Sequence, residues 1–293
     1  MLGIITLCSV IWLAVMVVLV LALRRGHGSN PSGREAAEKR LTVSISVAVS
    51  ATAIIIVGLT VASFYTTRVI GMPDADALTI AVRGKQWWWQ VLYTGSENGQ
   101  GFETANEIHI PVGRDVQIRL ESADVIHSFW VPSLAGKQDM VPGRSNILLL
   151  RAEKPGVYRG QCAEFCGLQH SHMALMIVAE APASYERWAA SQRELSEVPT
   201  EQEAAAGEAV FMAKPCSACH TVRGTPAMGR TGPDLTHVGS RLTIAAGLVE
   251  TTRGSMAAWI ADPQTLKPGN NMPMVPLTSV ELRNISAYMA SLK

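Results

Sequence analysis

Cys162-Ala163-Glu164-Phe165-Cys166-Gly167-Leu168-Gln169-His170-Ser171-His172-Met173 gathers thiols, imidazoles and a thioether within a dozen residues. The runs on either side, 156–160 and 174–179, read as strands, and a loop between two strands can turn all its ligands inward. Thiolate, imidazole and thioether form the soft set that suits copper in electron transfer, whereas structural zinc takes four Cys or His ligands in a tetrahedron. A symmetric pair of metals bridged by both thiolates needs a second imidazole. His127, in Val125-Ile126-His127-Ser128-Phe129-Trp130-Val131-Pro132, ends an upstream strand at a suitable place. A Cys162–Cys166 disulfide is the competing reading in an oxidising compartment, but it leaves the close spacing of His170 and Met173 unexplained. His172 rivals His170, and spacing alone does not separate them.

The surrounding chain supports a β-domain. From about Asp74 to Glu180 short alternating runs, such as Ile108, Ile110, Val112 and Val116, Ile118, Leu120, are broken by Gly, Pro and Asp turns. An antiparallel sandwich fits this pattern better than a parallel α/β arrangement. His109 lies inside one alternating run and reads as a structural histidine. Residues 183–203 turn to Ala, Glu, Gln, Ser and Arg, with Pro199, as in a polar helix followed by a linker.

Beyond that linker the chain is helical in tone. Cys216-Ser217-Ala218-Cys219-His220 is the spacing in which two thiols form thioethers to haem vinyl groups and the adjacent histidine binds iron. A redox dithiol or half a zinc site would use the same motif, but no second such pair follows. A sixth ligand is needed, and methionine raises the potential. Met272, in Asn270-Asn271-Met272-Pro273, is the first candidate, then Met274 and Met256; by residue type alone each could be a core filler. The last element opens on a capping box, Thr278 with Glu281, ahead of Ile285, Tyr288, Met289 and Leu292 at helical spacing.

Composition sets the compartment. The chain has 293 residues, net charge +1, 48% hydrophobic and 17% charged residues, with a mean hydropathy of +0.18, too apolar for an ordinary soluble domain of this length. Balanced charge gives no footprint for nucleic acid. Residues 2–23 and 41–67 carry no charge, so each is long enough for a transmembrane helix. Arg24, Arg25, Arg34, Lys39 and Arg40 against Glu35 and Glu38 place the intervening loop in the cytoplasm and both termini outside. A signal peptide is the rival for the first run, but the basic n-region is missing and the run exceeds an h-region of ~7 to 15 residues. Cys8, inside that run, reads as a buried free thiol.

Together, C-x-E-x-C-G-x-x-H-x-x-M, H-S-F-W-V-P, Asp139-Met140-Val141-Pro142-Gly143-Arg144 and Gln86-Trp87-Trp88-Trp89 resemble cytochrome c oxidase subunit II across residues 1 to about 182. The resemblance implies a cupredoxin-like sandwich holding a binuclear CuA centre. Cys162 and Cys166 would bridge the coppers, His127 and His170 would be terminal, and Met173 and the Glu164 carbonyl would be weak ligands; it favours His170 over His172. It further implies a magnesium or manganese ion on the Glu164 side chain at the boundary with the catalytic subunit, and Trp87 as the point where electrons enter. Trp88 and Trp89 read as core. Residues 203–293 are similar to a class I cytochrome c: Gly207 and Phe211 on a first helix, Gly232-Pro233-Asp234-Leu235 after the haem motif, Trp259, a Met-Pro loop and Tyr288 on a last helix. That likeness favours Met272 as iron ligand and implies that the Pro233 carbonyl orients His220.

The expected organisation is therefore a transmembrane hairpin (1–70), a cupredoxin-like CuA domain (71–182), a helical linker (183–202) and an all-α cytochrome c domain (203–293). A fused subunit II and cytochrome c resembles the caa-type terminal oxidases. The expected function is to pass electrons from reduced cytochrome c or a membrane donor, through haem c and CuA, to a catalytic partner subunit in a bacterial-type inner membrane. Neither span contains a histidine, so oxygen reduction belongs to that partner. Alternatives are a CuA subunit of a nitric oxide reductase and a membrane-anchored redox shuttle without a partner; a copper chaperone and a quinol oxidase subunit fit less well. Two positions depart from the family: Glu38 only approximates the acidic residue near the second span, and Trp88 stands where tyrosine is usual.

Overall fold

The computed structural model describes residues 2–24, 34–70, 77–94 and 101–293. The chain divides into two compact units, Met1–Val69 and Ile70–Lys293. The first holds α1 (Leu2–Arg24) and most of α2 (Arg34–Ile70). Within α2, Ala37–Arg68 is long and apolar enough to cross a membrane, while in α1 the apolar stretch Cys8–Arg24 is shorter. The α2 hydroxyls of Thr42, Thr52, Thr60 and Thr66 each donate to the carbonyl four residues back, which satisfies them without solvent. Cys8 is a free thiol on the outer surface of α1. The basic loop that sets the expected orientation, residues 25–33, lies outside the described residues.

The second unit begins with a sandwich of two five-stranded sheets. Its strands are β1 (Leu78–Lys85), β2 (Trp88–Tyr93), β3 (Phe102–Ala105), β4 (Glu107–Pro111), β5 (Val116–Ser122), β6 (His127–Trp130), β7 (Gln138–Met140), β8 (Asn146–Leu150), β9 (Gly156–Cys162) and β10 (Ala174–Glu180). One sheet has the order β3-β2-β1-β5-β8 and the other β4-β10-β9-β6-β7. Alternation drives the layering. Val116, Ile118 and Leu120 are buried while Arg119 points outward, and each fully buried aliphatic side chain contributes roughly 1.5–3 kcal/mol of transfer free energy. Most neighbours are antiparallel, but β1 pairs with β5 and β4 with β10 in parallel. The chain passes from sheet to sheet between these partners, so strands distant in sequence run side by side, a pairing that alternation does not encode.

Linker helix α3 (Pro182–Ser191) packs back on the sandwich. Its Trp188 ring stacks on His109 at 4.0 Å and 4°, and the two His109 nitrogens meet Glu180 at 2.7 Å and Glu107 at 3.1 Å. His109 is thus a structural residue, held on its face and at both edges. The next residues are also tied down: Arg223 donates to the carbonyls of Gln192 and Arg193.

The C-terminal region is built on α4 (Gln202–Ala213), a single turn α5 (Cys216–Cys219), α6 (Arg253–Ala261), α7 (Pro263–Leu266) and α8 (Ser279–Ser291). Helices α4 and α8 cross at Gly207, where an added Cβ would lie 2.1 Å from the Asn284 carbonyl oxygen. The missing side chain is what lets the backbones meet. Phe211 and Tyr288 pack edge to face there at 5.9 Å. The capping box is present in full: Thr278 Oγ1 accepts from Glu281 N, and the Glu281 carboxylate accepts from Thr278 N.

Candidate metal centres

The end of β6, the end of β9 and the loop before β10 converge at one edge of the sandwich. Cys162 and Cys166 Sγ lie 3.8 Å apart. His127 Nδ1 is 3.9 Å from Cys162 Sγ, His170 Nδ1 3.6 Å from Cys166 Sγ, and Met173 Sδ 3.8 Å from Cys166 Sγ. The Glu164 carbonyl oxygen is 3.3 Å from Cys162 Sγ. The ligating atoms of His127, Cys162 and Cys166 all lie within 4.8 Å of one another and the three residues are buried. His172 is turned away, its Nδ1 at 2.7 Å from Gln169 Oε1. The Glu164 carboxylate meets the Phe165 N–H at 3.3 Å.

Asp124 orders this cluster. Its Oδ1 lies 2.8 Å from His127 Nε2 and its Oδ2 accepts from Gln86 N at 2.7 Å, so the Nδ1 of His127 is left to face the sulfurs. Burial opposes protonation of His127, but its hydrogen bonds to Cys162 and Asp124 raise its pKa overall. The bond from the Cys166 thiol, aided by His127 and working against burial, lowers Cys162 to about 3, while Cys166 is pushed up by the same contact. Two sulfurs, two imidazole nitrogens, a thioether and a carbonyl, within 4 Å of their neighbours and with His127, both cysteines and Met173 buried, fit a pair of soft, thiolate-bridged metal ions.

A second site lies beside it. A cavity of about 490 Å³ is lined by Cys216, Cys219, His220, Pro233, Met256, Trp259 and Met272, and also by Lys85, Trp87, Trp88 and Asp124 of the sandwich. The Pro233 carbonyl accepts from His220 Nδ1 at 2.8 Å, which leaves Nε2 free as a ligand. Burial lowers the His220 pKa, keeping the ring neutral. A Cβ at Gly232 would come within 2.5 Å of the imidazole Cε1. Met272 and Met256 line the cavity, whereas Met274 is 60% exposed. The cavity wall also holds Arg241, buried with its Nε unpartnered, and the unpartnered Thr243 hydroxyl. Orphaned buried donors of this kind fit a ligand carrying carboxylates. Volume, paired thiols, a neutral imidazole, a thioether and these donors together fit a covalently held haem.

Trp89 belongs to the core, fully buried against Phe129 and His127. Trp88 is half-buried at the cavity, with Lys85 Nζ 4.9 Å above its ring. Trp87 is 8% exposed and donates from Nε1 to the Cys166 carbonyl at 2.9 Å. Asp124 stands three residues before His127 and could have been found by asking what orients that imidazole. Arg241, Thr243 and Lys267 carry no local signal; only the tertiary fold brings them to the cavity.

The described residues thus join a copper-type donor cluster on a β-sandwich to a helical domain with a haem-type cavity. The comparisons agree. Residues 96–181 match the family described as cytochrome c oxidase subunit II, periplasmic domain, and residues 204–293 match cytochrome c. Cytochrome c oxidase subunit 2 of Alkalihalophilus pseudofirmus is 42% identical over 74% of this chain and 62% of its own length. The Bacillus subtilis subunit 2 is 31% identical over 76% and 64%. The periplasmic domain of subunit II of cytochrome oxidase of Bradyrhizobium japonicum is 33% identical, covering 41% of this chain and 96% of that one at a TM-score of 0.39. The chain therefore carries a cytochrome c oxidase subunit II periplasmic domain followed by a C-terminal cytochrome c domain. It spans under two thirds of the length of the curated relatives it matches.

Proposed function

We infer that this chain is the subunit through which electrons enter a haem-copper oxidase. The supporting observation is that the two candidate centres share one compact unit and abut: sandwich residues Trp87 and Asp124 line the haem-type cavity, and Trp87 also hydrogen-bonds the Cys166 carbonyl. Each group when bound would supply one-electron chemistry. The chain's own residues hold, orient and insulate these groups.

In this reading Cys162 and Cys166 would bridge the coppers, His127 and His170 would be terminal ligands, and Met173 and the Glu164 carbonyl would be weak ligands. Cys216 and Cys219 carry the haem thioethers, and His220, oriented by Pro233, and Met272 bind the iron. Trp87 is the point where electrons enter the copper domain. The Glu164 carboxylate is assigned to a magnesium or manganese ion shared with the catalytic subunit. The proposed division is 1–70 membrane hairpin, 71–182 copper domain, 183–202 linker and 203–293 cytochrome domain. Two spans place both termini and both centres on the outer face of a bacterial-type inner membrane, beside the catalytic and other oxidase subunits. The donor is reduced cytochrome c or a membrane carrier.

Low-temperature EPR with metal and haem quantification on the full chain tests this. Copper hyperfine splitting shared equally by two nuclei, beside one low-spin haem per chain, is expected. A single-copper signal would refute the copper assignment. Oxygen uptake by a co-purifying haem-bearing subunit separates an oxidase from a nitric oxide reductase, and a chain that purifies alone would be a shuttle.

A further inference from the structure

Lys267 is buried, 3% exposed, and among the described residues it makes no ion pair. Its ammonium instead donates to three backbone carbonyls: Trp87 at 2.8 Å, His172 at 2.8 Å and Ala245 at 3.1 Å. The first two belong to the sandwich and the third to its own domain. Three donors meeting three acceptors use the full capacity of the protonated group; burial pushes its pKa down to about 7, and the three carbonyls are what its proton-bearing form has to hold it there.

Both ends of this contact are held by hydrogen bonds. On the cytochrome side, Asn270 Nδ2 donates to the carbonyls of Pro263 and Lys267, Gln264 Nε2 donates to those of Asn270 and Met272, and Met272 N donates to Asn270 Oδ1. These bonds tie Lys267 to the Met272 loop. On the copper side, Trp87 is fixed to Cys166, and His172 adjoins Met173. Two flanking bonds close the seam: Gln169 Nε2 to the Pro268 carbonyl at 2.6 Å and Asn271 Nδ2 to the Gln86 carbonyl at 2.9 Å.

We propose that Lys267 is a positioning residue, a buried latch that clamps the Met272 loop onto Trp87 and the loop of His172, setting the haem-to-copper geometry and closing Trp87 to donors from solution. The proposal rests on the two-centre reading above. It goes further by naming the residue that fixes the docked state and by making the cytochrome domain a cover over Trp87. One electron passes from ferrous haem to the oxidised copper pair, with no proton or bond exchanged at Lys267.

The test compares the wild-type full chain with Lys267→Met, both loaded with copper and haem and assembled in the oxidase. A photoreductant delivers an electron to the haem, and a soluble reduced cytochrome c is offered separately. Losing charge-assisted bonds shifts the docked population by about tenfold or more. The rate of internal haem-to-copper transfer should therefore fall by about tenfold or more, while direct reduction of copper by the soluble donor rises. A variant damaged merely in folding would lose both. An unchanged internal rate in a variant with intact haem and copper spectra overturns the latch. Absence of internal transfer in the wild type overturns the two-centre reading instead. If the variant fails to assemble, reductive methylation of the wild type decides: Lys267 should resist modification while the exposed Lys137 and Lys154 react, and equal reactivity would overturn the proposal.

Discussion

His127 Nε2 lies 2.8 Å from Asp124 Oδ1, while the opposite ring nitrogen faces Cys162. The carboxylate fixes which nitrogen is offered to metal and makes it more basic. Asp124→Asn should weaken copper binding by about 10- to 100-fold. Competition with a chelator measures this.

Cys166 stands between Cys162, His170 and Met173. Cys166→Ser should abolish the paired-copper EPR signal and oxidase turnover while the haem absorption survives, because the haem cavity takes none of its thiols from the sandwich. Loss of haem incorporation in this variant would contradict the separation of the two sites.

Met272→Ala should convert the haem to a high-spin form and leave copper bound, as read by the haem spectrum and by copper content. Exposure of Met274 leaves it outside the cavity. A low-spin haem in the variant would transfer the ligand role to Met256, which also lines the cavity.

Gly207→Ala would drive a methyl group into the Asn284 carbonyl and the Tyr288 Cβ. Backbone cannot yield there as a flexible side chain would, so the cytochrome domain should lose roughly 1–3 kcal/mol of stability, seen as a lower melting temperature of the haem-region signal.

Glu281 is held down to about 2 by the Thr278 N–H, then by Lys214 and the Thr278 hydroxyl. A carboxylate lowered from an ordinary 4.5 contributes stability that is present above pH 4.5 and lost as pH falls toward 2. Melting curves of wild type and Glu281→Gln should therefore differ at pH 6 and converge near pH 2. A gap that persists at pH 2 would remove the titration of Glu281 as its origin.

What the sequence disclosed follows from how locally each feature is encoded. The ligand loop from Cys162 to Met173, the Cys216–His220 motif and the Thr278–Glu281 box are all short-range, and their geometry was legible as spacing. His109 was legible as structural, although its Trp188 partner was not. The choice between His170 and His172 needed the family likeness, and the fold then brought His170 alone to the thiols. Parallel pairing of β1 with β5 and of β4 with β10 depends on chain crossings that alternation does not record. Lys267, five residues before Met272, reads in sequence as an ordinary surface lysine, and its burial depends on carbonyls at Trp87 and His172.

Glu107 carries a last consequence. One of its oxygens meets His109 and the other accepts from Leu242 N at 2.7 Å, so the imidazole stacked on the linker helix and the cytochrome domain share a single buried carboxylate. Encounters between free, charged redox proteins are steered by long-range attraction and slow as salt screens it over a Debye length of ~10 Å at 0.1 M. Here the partners are already seated, and the contact is short and dry. Ionic strength should therefore govern how the outside donor reaches the cytochrome domain, and should leave the passage between the two centres untouched.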